Sequence, residues 1–265
     1  MKDITEIKCF VLDMDGTFYL GNRLIDGALD FLKTLKAQNK EFLFLTNNSS
    51  KNKYAYVTKL NNLGLDIEPN RIFTSGEATT IYLNSKKAGA KVFLLGTKML
   101  EEEFINAGFK LVKDRSQRPD FIVLGFDTTL TYEKLWIACD FIRDGVEYVA
   151  THPDFNCPLE DSKFMPDAGA MIDFISTSTG KKPYVVGKPN KAIIEALCEK
   201  YAYDKEDIAI VGDRLYTDIK TGENAGITSI LVLSGETSIE SYNNSETNAD
   251  FVYPSLKEIN EELIK

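Results

Sequence analysis

The sequence contains very little histidine, and this scarcity excludes several kinds of active site. His152 is the single histidine among 265 residues. Zinc sites built from several histidines are therefore excluded, because each imidazole ligand needs its own residue. A serine–histidine–acid triad would depend on His152 alone, and no nucleophile-elbow sequence supports it. The nearest approach to a nucleotide-binding P-loop is Gly180-Lys181, but Lys182 stands where serine or threonine is needed.

Paired cysteines, clustered cations and long apolar runs are also absent. The four cysteines form no C-x-x-C pair, which is typical of reduced thiols and predicts a cytoplasmic protein. With a formal net charge of -9 and no Lys/Arg block, the chain lacks the cationic surface that nucleic-acid phosphates require. No apolar run approaches the roughly 20 residues of a membrane span, and no signal-peptide core is found. We therefore expect neither a nucleic-acid nor a membrane partner.

Two carboxylates follow the first buried strand of the predicted fold. The apolar run Cys9–Leu12 predicts this strand, and Asp13, Asp15 and Gly16 come after it. Side chains at positions i and i+2 of an extended segment share a face. Both carboxylates should therefore project from the carboxyl end of the strand, at the edge where open α/β sheets bind ligands. Paired carboxylates suit Mg²⁺, which completes its shell with waters and phosphate oxygens. The alternative is an ordinary turn, for which Asp-x-Asp-Gly is also suited.

Hydroxyl and amide side chains follow the second predicted strand, Glu41–Leu45. They belong to Thr46, Asn47 and Asn48, and the predicted helix Tyr54–Leu63 begins soon afterwards. Backbone N–H groups ahead of a helix attract anions, so this segment is a candidate phosphate-binding loop. The same residue types are favoured as helix caps where no ligand binds. The residues alone leave both interpretations open.

Two later strand ends add a cation and two carboxylates. Lys188 follows the apolar residues Tyr184–Val186, and Asp213 follows the predicted strand Ile208–Val211, with Asp218 five positions further on. An acidic protein that handles an anionic substrate needs local positive charge, which Lys188 could supply. The alternative for Lys188 is a solvated surface lysine, since lysines are rarely buried. Four strand ends therefore bring candidate functional groups to one edge of the sheet.

The alternation of strands and helices along the chain predicts an α/β fold built on a doubly wound parallel sheet. With 43% hydrophobic and 27% charged residues, the chain has the composition of a globular protein large enough for a domain and an insertion. The block 81–181, which includes the predicted strands Lys91–Leu95 and Glu147–Ala150 and the helix Tyr132–Arg143, should form an inserted α/β domain. Residues 1–80 and 182–265 should form a discontinuous core. A long polar loop is expected over Thr151–Pro166.

The ordered strand-end motifs resemble the haloacid dehalogenase superfamily of phosphatases, and the resemblance covers the whole chain. The motifs are Asp13-Met14-Asp15-Gly16-Thr17, Thr46-Asn47-Asn48, Gly187-Lys188-Pro189 and Gly212-Asp213 with Asp218. The interval between the second and third motifs holds the inserted block of about a hundred residues, which is domain-sized. This placement is similar to the cap of the NagD-like, nitrophenyl-phosphatase branch, as are Gly125-Phe126-Asp127, Thr151-His152-Pro153-Asp154 and Pro166-Asp167-Ala168-Gly169-Ala170. The resemblance implies a Rossmann-like core with an inserted cap.

The resemblance also implies a reaction, namely Mg²⁺-dependent hydrolysis of small phosphorylated metabolites such as sugar phosphates or pyridoxal phosphate. Nitrophenyl phosphate would serve as an artificial substrate. Asp13 would attack phosphorus and form an aspartyl-phosphate, while Asp15 would protonate the leaving group and then activate water. The phosphoryl oxygens would be bound by Thr46, Asn47, Asn48 and Lys188. The metal site would comprise Asp13, Asp15 through its carbonyl, and Asp213, with Asp218 acting on the metal or orienting Lys188.

Substrate selection would fall to the cap, where the loop Thr151–Pro158 carries polar side chains. His152, Asp154 and Asn156 could bond sugar or pyridoxal hydroxyls, although His152-Pro153-Asp154 could equally be a plain turn. Other classes also remain open: a phospho-accepting signalling domain, which has no inserted cap, and a catalytically silent phosphosugar-binding module. A dehalogenase would not need the second aspartate, and a phosphomutase would need a cap that retains its intermediate. A homodimer is an open option for the assembly.

Overall fold

The computed structural model describes residues 3–159 and 163–265, and strands and helices alternate along this described part of the chain. The strands are β1 (Cys9–Leu12), β2 (Tyr19–Leu20), β3 (Arg23–Leu24), β4 (Glu41–Thr46), β5 (Ile72–Thr74), β6 (Lys91–Leu95), β7 (Lys110–Val112), β8 (Phe121–Leu124), β9 (Glu147–Ala150), β10 (Asn156–Pro158), β11 (Phe164–Pro166), β12 (Tyr184–Val185), β13 (Ile208–Gly212), β14 (Thr228–Val232) and β15 (Phe251–Tyr253). The helices are α1 (Ala28–Ala37), α2 (Lys53–Asn62), α3 (Ser75–Lys86), α4 (Lys98–Asn106), α5 (Tyr132–Arg143), α6 (Ala168–Thr179), α7 (Ala192–Tyr201), α8 (Lys220–Ala225), α9 (Ile239–Asn243) and α10 (Leu256–Leu263). None of these helices is long and apolar enough to cross a membrane.

A six-stranded sheet forms the centre of the first compact unit, with the strand order β15-β14-β13-β1-β4-β5. The unit comprises the described residues up to Thr46, together with Val57–Phe73 and Lys188–Lys265. Strand β1 pairs in parallel with β13 on one side and with β4 on the other. The chain adds strands on the β4 side first and on the β13 side later, so the winding reverses between β1 and β13. Open α/β sheets bind ligands at the carboxyl ends of the strands at this switch point.

The apolar residues of this unit explain its layers. All of β1 is buried, as expected for a central parallel strand that is covered on both faces. Phe10 of β1 packs edge-on against Phe31 of α1, with ring centroids 5.4 Å apart. Helix α10 buries Leu256, Ile259 and Leu263, which lie on one face at helical spacing. Burial of these faces fixes the sheet and leaves the strand ends to carry polar groups.

The second compact unit contains a five-stranded parallel sheet in the order β12-β9-β8-β6-β7. It comprises Asn47–Tyr56 and the described residues within Thr74–Gly187. Threonine caps begin three of its helices, since Thr74, Thr97 and Thr131 each accept a backbone hydrogen bond from the first turn of α3, α4 and α5. The fold class is thus the predicted α/β architecture of mostly parallel sheets covered by helices.

The structure differs from the sequence prediction in two segments of this unit. Strand β12 pairs with β9, with Val185 opposite Ala150, so it lies in the second sheet and not in the core, where the predicted limits placed it. The prediction of an irregular loop over Thr151–Pro166 is wrong for β10 and β11, because these two segments pair as antiparallel strands. Residues 160–162 of the predicted loop lie outside the described residues. Short polar and proline-bounded strands give no alternating apolar signal. That residues 81–181 form one inserted domain stays a prediction.

Candidate active site

A buried lysine lies between two carboxylates in the first unit. The Lys188 Nζ is 2.6 Å from Asp13 Oδ1 and 2.5 Å from Asp218 Oδ1, and the lysine side chain is only 3% exposed. Asp13 follows β1, and Asp218 lies in a π-helical turn over Leu215–Ile219 that follows β13. Burial disfavours the ammonium form, but Asp13 and Asp218 raise the pKa of Lys188 above its ordinary value. The alternative of a solvated lysine is therefore excluded.

Asp213 completes the group of carboxylates at the end of β13. Its Oδ1 accepts a hydrogen bond from Thr17 Oγ1 at 3.2 Å, and its Oδ2 accepts one from the Glu236 N–H at 2.7 Å. Gly16 lies against this carboxylate with φ of +84°, and a Cβ at that position would come within 2.4 Å of Asp213 Oδ2. Glycine is thus required after Asp15 for both its backbone angle and its missing side chain.

The three carboxylates carry more negative charge than the lysine balances. Oxygen atoms of Asp13, Asp213 and Asp218 all lie within 4.8 Å of one another. Burial raises the pKa of Asp13 although Lys188 opposes the shift, and burial with repulsion from Asp218 raises the pKa of Asp213. A divalent cation would remove this repulsion, and carboxylate oxygens are the ligands that Mg²⁺ prefers. The donor set therefore fits the hard metal ion expected from the sequence.

The Asp15 carboxylate lies outside this described cluster of three acids. Its side chain is 54% exposed and contacts two residues of the same unit. The Tyr19 hydroxyl donates to Asp15 Oδ2 at 3.3 Å, and Lys59 Nζ lies 3.9 Å from Asp15 Oδ1. Among the described residues, Asp213 and Asp218 are the acids that lie with Asp13 in this cluster, and the expected common face of Asp13 and Asp15 stays a prediction. Binding of a metal ion by the backbone carbonyl of Asp15 stays a prediction.

The predicted phosphate loop is divided between the two units. Thr46 is buried at the end of β4, the strand beside β1. Asn47 and Asn48 belong to the second unit, where the Asn47 Nδ2 donates to Asp154 Oδ2 at 3.1 Å. Asn48 Oδ1 accepts hydrogen bonds from the Ser50 N–H at 2.9 Å and the Ser50 hydroxyl at 2.7 Å. Asn48 thus forms a local turn and not the helix cap that the sequence left open as the alternative, and phosphate contacts of both asparagines stay a prediction.

His152 and Asp154 have different surroundings in the second unit. His152 is fully buried, with Nδ1 2.9 Å from Thr151 Oγ1 and Nε2 2.8 Å from Asp167 Oδ1. The prediction that His152 contacts substrate is therefore wrong, because both ring nitrogens are bonded inside the unit. Asp154 is partly exposed and its carbonyl accepts the Gly169 N–H at 2.8 Å. Its predicted contact with substrate stays a prediction.

Sequence reasoning missed the two residues that contact Asp15. Tyr19 lies four positions beyond Asp15, and this spacing was the signal that could have suggested a contact within the turn. Lys59 lies in α2, distant in sequence from both residues, and only the tertiary fold brings it to them.

Comparisons with known proteins identify related hydrolases. Residues 10–110 match the haloacid dehalogenase-like hydrolase family, and residues 185–259 match a family described as HAD-hydrolase-like. An acid sugar phosphatase of Staphylococcus aureus strain MRSA252 is 35% identical over 98% of this chain and 99% of its own length. A 4-nitrophenylphosphatase structure from Thermotoga maritima superposes with a TM-score of 0.93 at 48% identity, covering 98% of both chains.

A second solved relative contains a metal ion. A glycerol phosphate phosphatase from Mycobacterium tuberculosis, solved in complex with magnesium, has a TM-score of 0.90 and 30% identity, and the match covers 98% of this chain and 79% of that one. The phosphatase relatives align over nearly all of this chain, and its four strand-end motifs lie in the matched regions. The chain belongs to the haloacid dehalogenase-like hydrolases, as a phosphatase of the NagD-like, nitrophenyl-phosphatase branch.

Proposed function

We propose that this protein is a Mg²⁺-dependent phosphomonoesterase that hydrolyses small phosphorylated metabolites of the sugar-phosphate class through an aspartyl-phosphate on Asp13. The buried contact of Lys188 with Asp13 at 2.6 Å is the observation that carries the proposal. A cation beside a carboxylate at the switch point of the sheet supports attack on a phosphate, because the ammonium can attract the phosphoryl oxygens while the carboxylate attacks. The acid sugar phosphatase and nitrophenylphosphatase relatives support the substrate class.

Asp13 is the carboxylate of the cluster that a substrate can reach. Its side chain is 14% exposed, whereas that of Asp218 is fully buried. Lys188 fixes one oxygen of Asp13 and leaves the other to attack phosphorus, and the same ammonium would attract the phosphoryl oxygens. Asp218 holds Lys188 from the buried side at 2.5 Å, so we assign it the role of positioning the lysine.

Asp15 would transfer the protons of the reaction. Its exposed carboxyl group follows Asp13 on the same turn and can donate a proton to the leaving oxygen while the phosphoryl group moves to Asp13. In the second half-reaction the same carboxylate can take a proton from the attacking water. One residue suffices for both steps because the two half-reactions move the proton in opposite directions.

Asp13, Asp213 and the backbone carbonyl of Asp15 would hold Mg²⁺ in this proposal. When bound, the ion would neutralise charge on the phosphoryl oxygens as a Lewis acid. Thr46 would bind the phosphoryl group from the end of β4. Recognition of the organic part of the substrate by Asp154, and the contributions of Asn47 and Asn48, are proposed on the family resemblance and not on contacts.

Metal removal tests the proposal. Protein treated with EDTA should lose hydrolysis of nitrophenyl phosphate and regain it with Mg²⁺ but not with Zn²⁺, because an all-oxygen site suits the harder ion. Asp213→Asn is the matched variant: it should weaken Mg²⁺ binding in calorimetry while circular dichroism stays unchanged. Full turnover by metal-free protein would overturn the metal requirement.

A further inference from the structure

Both oxygens of Asp15 face a partner, although more than half of the side chain is exposed. The Tyr19 hydroxyl lies 3.3 Å from Oδ2, and Lys59 Nζ lies 3.9 Å from Oδ1. The same Lys59 Nζ lies 3.8 Å from the centroid of the Tyr19 ring. The three side chains thus form a closed group in which each member contacts the other two. An exposed carboxylate without such contacts would sample several rotamers.

Tyr19 is the rigid member of this group. Its residue is fully buried, and its backbone N–H donates to the Met14 carbonyl at 3.1 Å while its carbonyl accepts the Gly16 N–H at 2.8 Å. These bonds fold the chain back on itself directly after Asp13 and Asp15. Pairing of β2 with β3, with Tyr19 opposite Leu24, fixes the other side of the turn. The hydroxyl is therefore held at a constant position relative to the Asp15 backbone.

Lys59 contributes a cation to the face of the Tyr19 ring. A lysine over a tyrosine ring at this distance makes a favourable cation–π contact, and its charge also attracts the Asp15 carboxylate. The lysine side chain is 31% exposed, so part of its charge is screened by water. Its ring contact adds a geometric constraint that a solvated lysine would not provide.

We infer that Tyr19 and Lys59 are positioning residues that hold Asp15 in the orientation from which it delivers a proton to the leaving oxygen. The inference rests on the proposed function. The Tyr19 hydroxyl donates to Oδ2, whereas Lys59 Nζ at 3.9 Å from Oδ1 lies beyond hydrogen-bonding distance, so Oδ1 can carry the transferable proton. This proton passes to the ester oxygen as its bond to phosphorus breaks and the bond from Asp13 forms. A general acid must lie within hydrogen-bonding reach of that oxygen, so loss of orientation slows the step.

Substituted phenyl phosphates test this inference without knowledge of the natural substrate. A leaving group of low acidity needs a proton, whereas nitrophenolate departs readily without one. The value of kcat/KM reports the steps up to departure of the leaving group and is independent of later hydrolysis. Tyr19→Phe and Lys59→Met should therefore lower kcat/KM for phenyl phosphate by about tenfold and that for nitrophenyl phosphate by only about twofold. Lys59→Arg keeps the cation and should restore most of the loss.

Matched controls are available in the same unit. Lys200 Nζ lies 4.7 Å from the ring centroid of Tyr201, and the Tyr201 hydroxyl donates to the Asn70 carbonyl at 2.7 Å. Lys200→Met and Tyr201→Phe remove a comparable pair away from Asp15 and should leave the ratio of the two substrates unchanged. Melting temperatures of all variants would show whether any loss follows from unfolding.

Asp15→Asn separates failure of this inference from failure of the proposed function. If Asp15→Asn selectively slows phenyl phosphate and the Tyr19 and Lys59 variants do not, Asp15 is the acid and the positioning role is overturned. An equal fall for both substrates in those variants would likewise show a merely structural role. If Asp15→Asn itself shows no selectivity, the acid role within the proposed function fails instead. A selective loss of kcat/KM for phenyl phosphate in the Asp15, Tyr19 and Lys59 variants would establish the inference.

Discussion

Replacement of Lys188 by methionine tests the electrostatics of the site most severely. The substitution keeps most of the aliphatic stem but removes the ammonium that lies 2.6 Å from Asp13 and 2.5 Å from Asp218. Asp218 is fully buried, so its charge is left without a cation and away from water. Breaking a buried ion pair by removal of one partner costs about 3–5 kcal/mol. That is a large part of the roughly 5–15 kcal/mol that stabilises a typical domain.

Urea unfolding at neutral pH measures this cost, with Lys8→Met as the control. Lys8 pairs with Asp207 at 2.9 Å but its side chain is 69% exposed, so its removal should cost less than about 1 kcal/mol. The double variant Lys188→Met with Asp218→Asn should recover about 2 kcal/mol or more relative to Lys188→Met alone, because the unpaired charge is then gone. A cost for Lys188→Met as small as that of Lys8→Met, or additive effects in the double variant, would refute the reasoning.

Two further predictions concern the second unit. Asp154→Ala should change the order of kcat/KM values across a panel of phosphorylated metabolites, with a change of about tenfold for the best substrate. The value for nitrophenyl phosphate should change much less. An equal fall for all substrates would show that Asp154 acts by holding Asn47. Burial opposes protonation of His152, but Asp167 raises the pKa of His152 above its ordinary value. The contact of protonated His152 with Asp167 therefore stabilises the folded protein fully below the pKa that His152 has in the unfolded chain. This stabilisation is lost as pH rises through the pKa of His152 in the folded protein. The melting temperature of the wild type relative to that of Asp167→Asn should therefore fall as pH rises from 5.5 into the alkaline range; a constant difference would contradict this assignment.

The elements with continuous apolar runs or helix caps were predictable from the sequence. The predicted limits of Cys9–Leu12, Lys91–Leu95, Glu147–Ala150 and Tyr132–Arg143 are confirmed. Three of these are strands of parallel sheets, whose burial on both faces leaves an uninterrupted apolar signal. The fourth begins after Thr131, whose hydroxyl caps the first turn.

The site was predictable only in part. Carboxyl ends of parallel strands meet at one edge, and the structure brings together Asp13, Lys188, Asp213 and Asp218 as that rule requires. The rule gives no side-chain orientation, so it could not separate the partly buried Asp13 from the exposed Asp15. Contacts such as Lys59 with Tyr19, or His152 with Asp167, depend on tertiary packing between distant segments. Short periodic patterns carry no information about them.

The central claim is that Asp13 carries the phosphoryl group during turnover. The direct measurement is rapid acid quenching of the wild-type protein during hydrolysis of nitrophenyl phosphate, followed by mass spectrometry of its peptides. We expect a phosphoryl group on the peptide that contains Asp13, and Asp13→Asn should fold normally, carry no phosphoryl group and release no phosphate. Retained turnover in Asp13→Asn, or a phosphoryl group on another residue, would contradict the account.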